Sequence, residues 1–286
     1  SLLLFDHEPM TTRSFAVDPR DPRAPSAEEW ARMSDADRAR AVDQLPSELP
    51  REGLPEGDPH RDPKDKALEA LREYFRRQGR RVYLSGELPI YYPGEGVFAP
   101  DLIAVLDVEP HPRQRWVVSA EGKGLDFALE ITLSGDRRKD LETNVDRYAR
   151  LGIPEYFILD LKLRRILGYR LDKPGPYESI LPQRGRWSSR VLGLDLALEL
   201  GRVRFFAGSA PLPHSEELIV RLESMLGELV SKERALADEL EVALDRAEAE
   251  KARAEAEKAR AEEERARADR LAARLRDLGL DDESKS

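Results

Sequence analysis

Apolar positions follow three regimes along the chain. From Lys64 to Ala210 they come in short bursts separated by turn residues. Asp62-Pro63 reads as an N-cap followed by proline at the first helical position. Ala67, Leu68, Leu71, Tyr74 and Phe75 then recur at helical spacing, and Gly79 closes the helix. Strand-like runs follow at Arg81–Ser85, Glu87–Tyr92, Asp101–Asp107, Arg115–Ser119 and Asp126–Leu133. Pro93-Gly94-Glu95-Gly96 and His111-Pro112 mark turns between them. A second helix is predicted over Asp136–Leu151, closed by Gly152, and further strands over Glu155–Leu161, Ile166–Leu171, Leu194–Leu200 and Val203–Phe206. Helix, strands, helix, then strands again predicts a mixed α/β sheet flanked by helices rather than a regular βα alternation.

On either side of this core the pattern changes. Asp18 to Pro63 holds eight prolines and few large apolar residues. Proline fixes φ and removes a donor, so residues 1–63 read as an arm, partly disordered, laid over the domain. One helix is expected in it, Ser26–Arg40, with Ser26 as cap, Glu28 and Glu29 in the first turn, and Trp30 and Met33 on the docking side. After the core, residues 214–280 read as one long helix of about 65 residues and ~98 Å, followed by a short disordered tail, 281–286. Leu222, Leu226, Leu229, Leu236 and Leu240 form a seam at spacings of four, three, seven and four. Four successive sevens then begin at Arg246, Arg253, Arg260 and Arg267. A strict seven-residue period predicts a left-handed coiled coil and self-association, as a homodimer. Beyond the leucines the seam is alanine, so a solvated single helix, supported by pairs such as Lys251–Glu255 and Arg253–Glu257, stays open, as does a heterologous partner.

Composition narrows the chemistry. The 286 residues include no cysteine, which excludes disulfides, thiolate metal sites and thiol nucleophiles. Four scattered histidines offer no metal-ligand spacing. Charged residues reach 36%, against about 25% in ordinary globular chains. The net charge of −9 argues against broad adhesion to DNA, leaving local basic patches as the only surfaces for phosphate. No apolar run approaches a membrane span, and the opening Ser1–Phe5 stretch is too brief for a signal peptide, with Met10 reading as the natural start. A cytoplasmic protein is expected.

The chemistry concentrates on two acids in apolar strands. Pro100-Asp101 stands at the mouth of one strand, and Glu130 in the middle of Asp126-Phe-Ala-Leu-Glu130-Ile-Thr-Leu133. A carboxylate inside a buried strand is costly unless paired or metal-bound. Two on neighbouring strands can share Mg²⁺ or Mn²⁺, which take oxygen ligands. The alternative is structural: an Asp ending a turn, and a Glu bonded to backbone or to an arginine.

Ala99–Asp101, Leu129-Glu130-Ile-Thr-Leu-Ser134, Arg137-Arg138-Lys139-Asp140-Leu141 and Tyr148–Asp160 together resemble the Uma-type restriction endonuclease family of the PD-(D/E)XK nuclease superfamily. The resemblance continues through Ser189–Leu196 and Val203–Phe206 and spans about Lys64 to Glu217. It implies a restriction-endonuclease-like α/β core and a Mg²⁺-dependent phosphodiesterase acting on DNA, with Asp101 and Glu130 as metal ligands. The family's catalytic lysine commonly sits in the helix after the core strand, four residues beyond an aspartate. Counting from Asp140, that place holds Asn144, which faces inward with Leu141, Val145 and Tyr148. Two other sources of positive charge are candidates. Glu121-Gly122-Lys123 is an acidic-x-lysine sequence in a glycine-flanked loop, whose bland alternative is a solvated turn. Arg137, Arg138 and Lys139 open the second helix, where basic residues oppose the dipole and so favour an anionic partner such as nucleic-acid phosphate. Glu69, Glu73 and Glu87 are weaker acidic candidates, and Arg76, Arg77, Arg80 and Arg81 form the densest basic cluster of the core. The competing function is a catalytically degenerate nuclease fold kept as an interaction module, with the coiled coil mediating assembly.

Overall fold

The computed structural model describes residues 15–48, 58–132 and 142–277. It divides into two compact units, Ser1–Ser215 and Glu216–Ser286. In chain order the elements are α1 (Ala27–Arg32), α2 (Asp35–Gln44), α3 (Asp58–Gln78), β1 (Val82–Ser85), β2 (Ile90–Tyr91), β3 (Leu102–Leu106), β4 (Trp116–Val117), α4 (Val118–Glu121), β5 (Phe127–Thr132), α5 (Asn144–Arg150), β6 (Glu155–Asp160), β7 (Arg165–Arg170), β8 (Glu178–Ser179), β9 (Trp187–Ser189), β10 (Leu194–Glu199), β11 (Arg202–Ala207), β12 (Ala210–Pro211) and α6 (Ser215–Asp277).

Strand alternation divides the apolar side chains of the first unit between the two faces of a six-stranded sheet, ordered β1-β3-β5-β6-β7-β8. Its β5–β6 pair is parallel, and α5 lies in the connection between them. The other pairs of the sheet are antiparallel. On one face, Leu102, Ala104, Phe127, Leu129 and Phe157 pack with Ala67, Leu71 and Phe75 of α3 and with Leu196, Val203 and Phe205 of a four-stranded sheet, β12-β11-β10-β9. On the other, Ile103, Val105, Ala128, Tyr156 and Ile158 meet Tyr148 of α5, Ile90 of β2 and Trp116 of β4. Glu155, 1% exposed, ties β6 to the turn after β9: it pairs with Arg170 at 2.8 Å and accepts from the backbone N–H of Arg190 at 2.9 Å. The expected mixed α/β core, followed by one long helix, is the observed fold.

Several local expectations are corrected. The helix expected at Ser26–Arg40 is two helices. Ser26 caps α1 in a capping box with Glu29, but the chain turns at Met33, and Ser34 starts α2 by accepting from the backbone N–H of Asp37. The arm's buried residues include Ala24 and Leu45, packed on Tyr91 and Val117, and not Trp30 or Met33. α3 begins at Asp58, with Pro63 inside it. That proline removes only the bond to the carbonyl of residue 59, in the helix's first turn. The run Arg115–Ser119 is strand only at Trp116–Val117, after which the backbone coils into α4 and ends at Gly122 in the left-handed region. The short β8, β9 and β12, absent from the expectation, add edge strands to both larger sheets. Of the expected helix Asp136–Leu151, the part from Asn144 onward is α5; residues 133–141 lie outside the described residues.

The second unit is α6, in which no described residue is buried. Its leucines at 222, 226, 229, 236 and 240 are all more than 60% exposed. No helix among the described residues is long and apolar enough to cross a membrane.

Candidate active site

The β3–β5 register pairs Leu102 with Leu129, Ile103 with Ala128 and Ala104 with Phe127. Continued by one residue, it sets Asp101 directly opposite Glu130, with both side chains on the same face. At this end of the sheet the two carboxylates replace the backbone carbonyls as acceptors. The backbone N–H of Asp101 donates to Glu130 Oε2 at 3.3 Å, and the N–H of Ile131 donates to Asp101 Oδ2 at 2.7 Å. Asp101 is 8% exposed; Glu130 is the one half-buried residue in an otherwise buried β5. Burying a carboxylate without such donors would be costly, so these bonds explain how the strands tolerate acids there.

Two further elements close on the pair. Tyr148 of α5 donates its hydroxyl to Glu130 Oε1 at 3.1 Å. Its ring is held by an edge contact with Tyr156 (4.8 Å) and a tilted one with Phe98 (5.1 Å). From α3, the ammonium of Lys64 lies 3.5 Å from Asp101 Oδ1 and is also paired with Glu87. Lys64 is only 5% exposed. Sequence reasoning passed over it, although it falls one turn before Ala67 and Leu68 and in line with Leu71, on the apolar stripe of the helix. A lysine on a buried stripe, beside strand carboxylates, was the available signal. Glu87 holds φ at 54°, an uncommon conformation for a residue with a side chain, and its backbone N–H donates to the Pro100 carbonyl at 2.9 Å. The preceding Gly86 is required for this approach: a Cβ there would meet the Asp101 carbonyl oxygen at 2.8 Å.

The other candidates lie as follows. Asn144 begins α5, 4% exposed and one turn before Tyr148, and brings no charge. Lys123 does not join them. It is bound at the opposite end of β3, 3.0 Å from Asp126, whose carboxylate accepts the Leu106 N–H at 2.7 Å. At ~3.3 Å per residue, Asp101 and Leu106 are about 17 Å apart. Glu121 accepts from Arg113 Nε and Nη2, at 2.7 and 3.1 Å. The acidic-x-lysine sequence is therefore a structural clasp. Glu73 pairs with Arg76 and Arg77, whose hydrogen bonds hold its carboxyl down at about 2, and Glu69 bonds Ser215; neither reaches Asp101. Arg137, Arg138 and Lys139 lie outside the described residues.

Among the described residues, no group of three or more His, Cys, Asp and Glu side chains is arranged to hold a metal. Asp160, at the same sheet end, is taken by its own turn: it accepts the Leu163 N–H at 2.9 Å and pairs with Arg165 at 3.4 Å. Among the described residues the donor set at this sheet end is thus the carboxylates of Asp101 and Glu130. That set suits Mg²⁺, which is commonly held by one or two carboxylates and completes its shell with water and substrate phosphate.

A family model described as "Uma2: Putative restriction endonuclease" matches residues 52–201. A crystal structure described as "a putative nuclease belonging to DUF820" from Anabaena variabilis is similar to 51% of this chain and covers 79% of its own, at 13% identity and a TM-score of 0.40. A likeness at that score carries no argument about the site. No curated protein matches the chain.

Proposed function

The chain belongs to the Uma2 family of restriction-endonuclease-type proteins, and on that premise we propose that it hydrolyses DNA phosphodiester bonds with a divalent cation held by Asp101 and Glu130. The observation that carries the reading is the facing of these two carboxylates at one sheet end, with the Lys64 ammonium beside Asp101. When bound there, Mg²⁺ supplies Lewis-acid polarisation of a phosphoryl oxygen and a more acidic water. The chain's own groups do the rest. The N–H groups of Asp101 and Ile131 and the Tyr148 hydroxyl hold the carboxylates oriented. Lys64 carries the positive charge that the helix after β5 lacks at Asn144, and stabilises negative charge developing on the scissile phosphate. Glu87 shares that ammonium and sets its direction.

Conversion of supercoiled plasmid to nicked circles in Mg²⁺ tests the proposal. Asp101→Asn and Lys64→Met should each lower the rate on the order of 100-fold. Equal rates in the wild type and both variants, or no Mg²⁺-dependent nicking at all, would overturn it. The second reading, a degenerate nuclease fold used for assembly, is favoured by Asn144 at the lysine position and by the exposed leucine seam of α6. Under it, plasmid stays intact while the chain self-associates through α6.

A further inference from the structure

A cleft of about 550 Å³ runs along the outer edge of β1, between α3 and the turn at residues 110–113. β1 is the edge strand of the six-stranded sheet, so this side of it has no neighbouring strand in that sheet. Arg72, Arg76, Arg80, Arg113 and His111 line the cleft, and among the described residues no acidic side chain does. In a chain of net charge −9, that is a local reversal of sign. Arg113 is committed to the wall: it clasps Glu121 and lies over the rings of Tyr83 and Trp116 at 4.6 and 4.7 Å. The others are better placed for a ligand. Among the described residues no carboxylate pairs with Arg72 or Arg80, and Arg76 is 71% exposed despite its pairing with Glu73.

Ser85 forms one end of the cleft. Gly86 follows it and abuts the Asp101 carbonyl. From Arg80 to that point the chain advances about 20 Å at ~3.3 Å per residue. The arginines therefore lead toward Asp101 along a length that several backbone phosphates can occupy. An extended peptide would need the β1 edge for hydrogen bonding. Arg72 instead donates to the Leu84 carbonyl at 3.2 Å, which blunts that edge against strand addition.

We infer that the β1-edge cleft is a phosphate-binding track, in which Arg72, Arg76 and Arg80 grip the backbone of a nucleic-acid strand running to the Asp101–Glu130 site. The inference rests on the proposed phosphodiesterase reading for its choice of ligand. It makes a separate claim about where the strand lies.

The test is fluorescence anisotropy of a labelled DNA duplex, and of its single strand, with the full chain in the absence of divalent cations. Arg76→Gln combined with Arg80→Gln changes two surface side chains at the end of α3. It should weaken DNA binding about tenfold or more and lower the slope of log affinity against log salt by about one to two. The tighter of the two probes identifies the form of DNA that the track takes. DNA binding unchanged by the double variant overturns the track, as does wild-type protein that binds neither probe. A labelled acidic peptide that binds more tightly than DNA, and is lost in the double variant, overturns it in favour of a protein ligand. Circular dichroism of the double variant must match the wild type, and Arg72→Gln gives an independent check. Mn²⁺ titration of the wild type and Asp101→Asn, read by calorimetry, examines the hydrolytic site separately, so the two claims fail independently.

Discussion

Asp101 and Glu130 bind each other's strands rather than each other: the Asp101 amide donates to the Glu130 carboxylate, and the amide following Glu130 donates to the Asp101 carboxylate. Each acid thereby satisfies a backbone donor of the partner strand. The carboxylates end the β3–β5 ladder, and they do so because they face one another in register.

This arrangement predicts cooperative loss of metal affinity. Calorimetric titration with Mn²⁺ should give one site in the wild type. Asp101→Asn and Glu130→Gln should each weaken it at least tenfold, and Tyr148→Phe by less. One full-strength site in both carboxamide variants would place the ion elsewhere.

Gly86 predicts a steric coupling to the site. The Cβ of Gly86→Ala would press on a backbone carbonyl, which cannot swing aside as a flexible side chain can. Overpacking of this kind costs about 1–3 kcal/mol. Urea denaturation should show that loss, and Mn²⁺ affinity should fall with it because Asp101 is displaced. An unchanged midpoint and unchanged affinity would contradict the close approach.

The buried tyrosines predict alkaline sensitivity. Burial pushes Tyr91 up to about 12 and drives Tyr92 and Tyr177 higher still, against about 10 in an unfolded chain. Above pH ~10 the unfolded chain sheds these protons while the folded chain retains them. The stability these groups contribute is therefore complete below pH ~10 and falls as pH rises through the folded values. Urea midpoints should drop across that range, and tyrosinate absorbance should show a late-titrating class that disappears in urea. Tyrosines all ionising near 10 in the folded chain would contradict their burial.

The fourth prediction concerns α6. Five leucines, each more than 60% exposed, lie at coiled-coil spacing on a helix with no buried residue among those described. Their burial between two copies would contribute about 25 cal/mol per Å² of apolar area, partly offset by the entropy of association. Light scattering should report a dimer or higher oligomer that becomes monomeric in Leu226→Lys with Leu236→Lys, with the first unit still folded. The alanine heptads beyond Arg246 should fray first and respond most to salt. A monomeric wild-type chain at micromolar concentration would leave α6 as a lone charged helix or one awaiting a different partner.

The sequence by itself determined much of this protein, for reasons that are local. Apolar spacing marks α3, β3, β5, β6, β10 and β11, because side-chain period follows backbone geometry whatever the neighbours are. An acid inside an otherwise apolar strand marks Asp101 and Glu130, because only donors or a cation make its burial tolerable. The seven-residue period of α6 is likewise written in the chain. Tertiary structure decided the rest. That Asp101 stands opposite Glu130 depends on strand register, which joins residues about thirty apart. That Lys64 stands beside Asp101, and Lys123 is a clasp at the far end of β3, depends on where α3 and the loop after α4 pack. In the sequence Lys123 carries the more suggestive motif. Charge acts through space, so pairing patterns along the chain rank such candidates only by neighbourhood, and the fold reordered them.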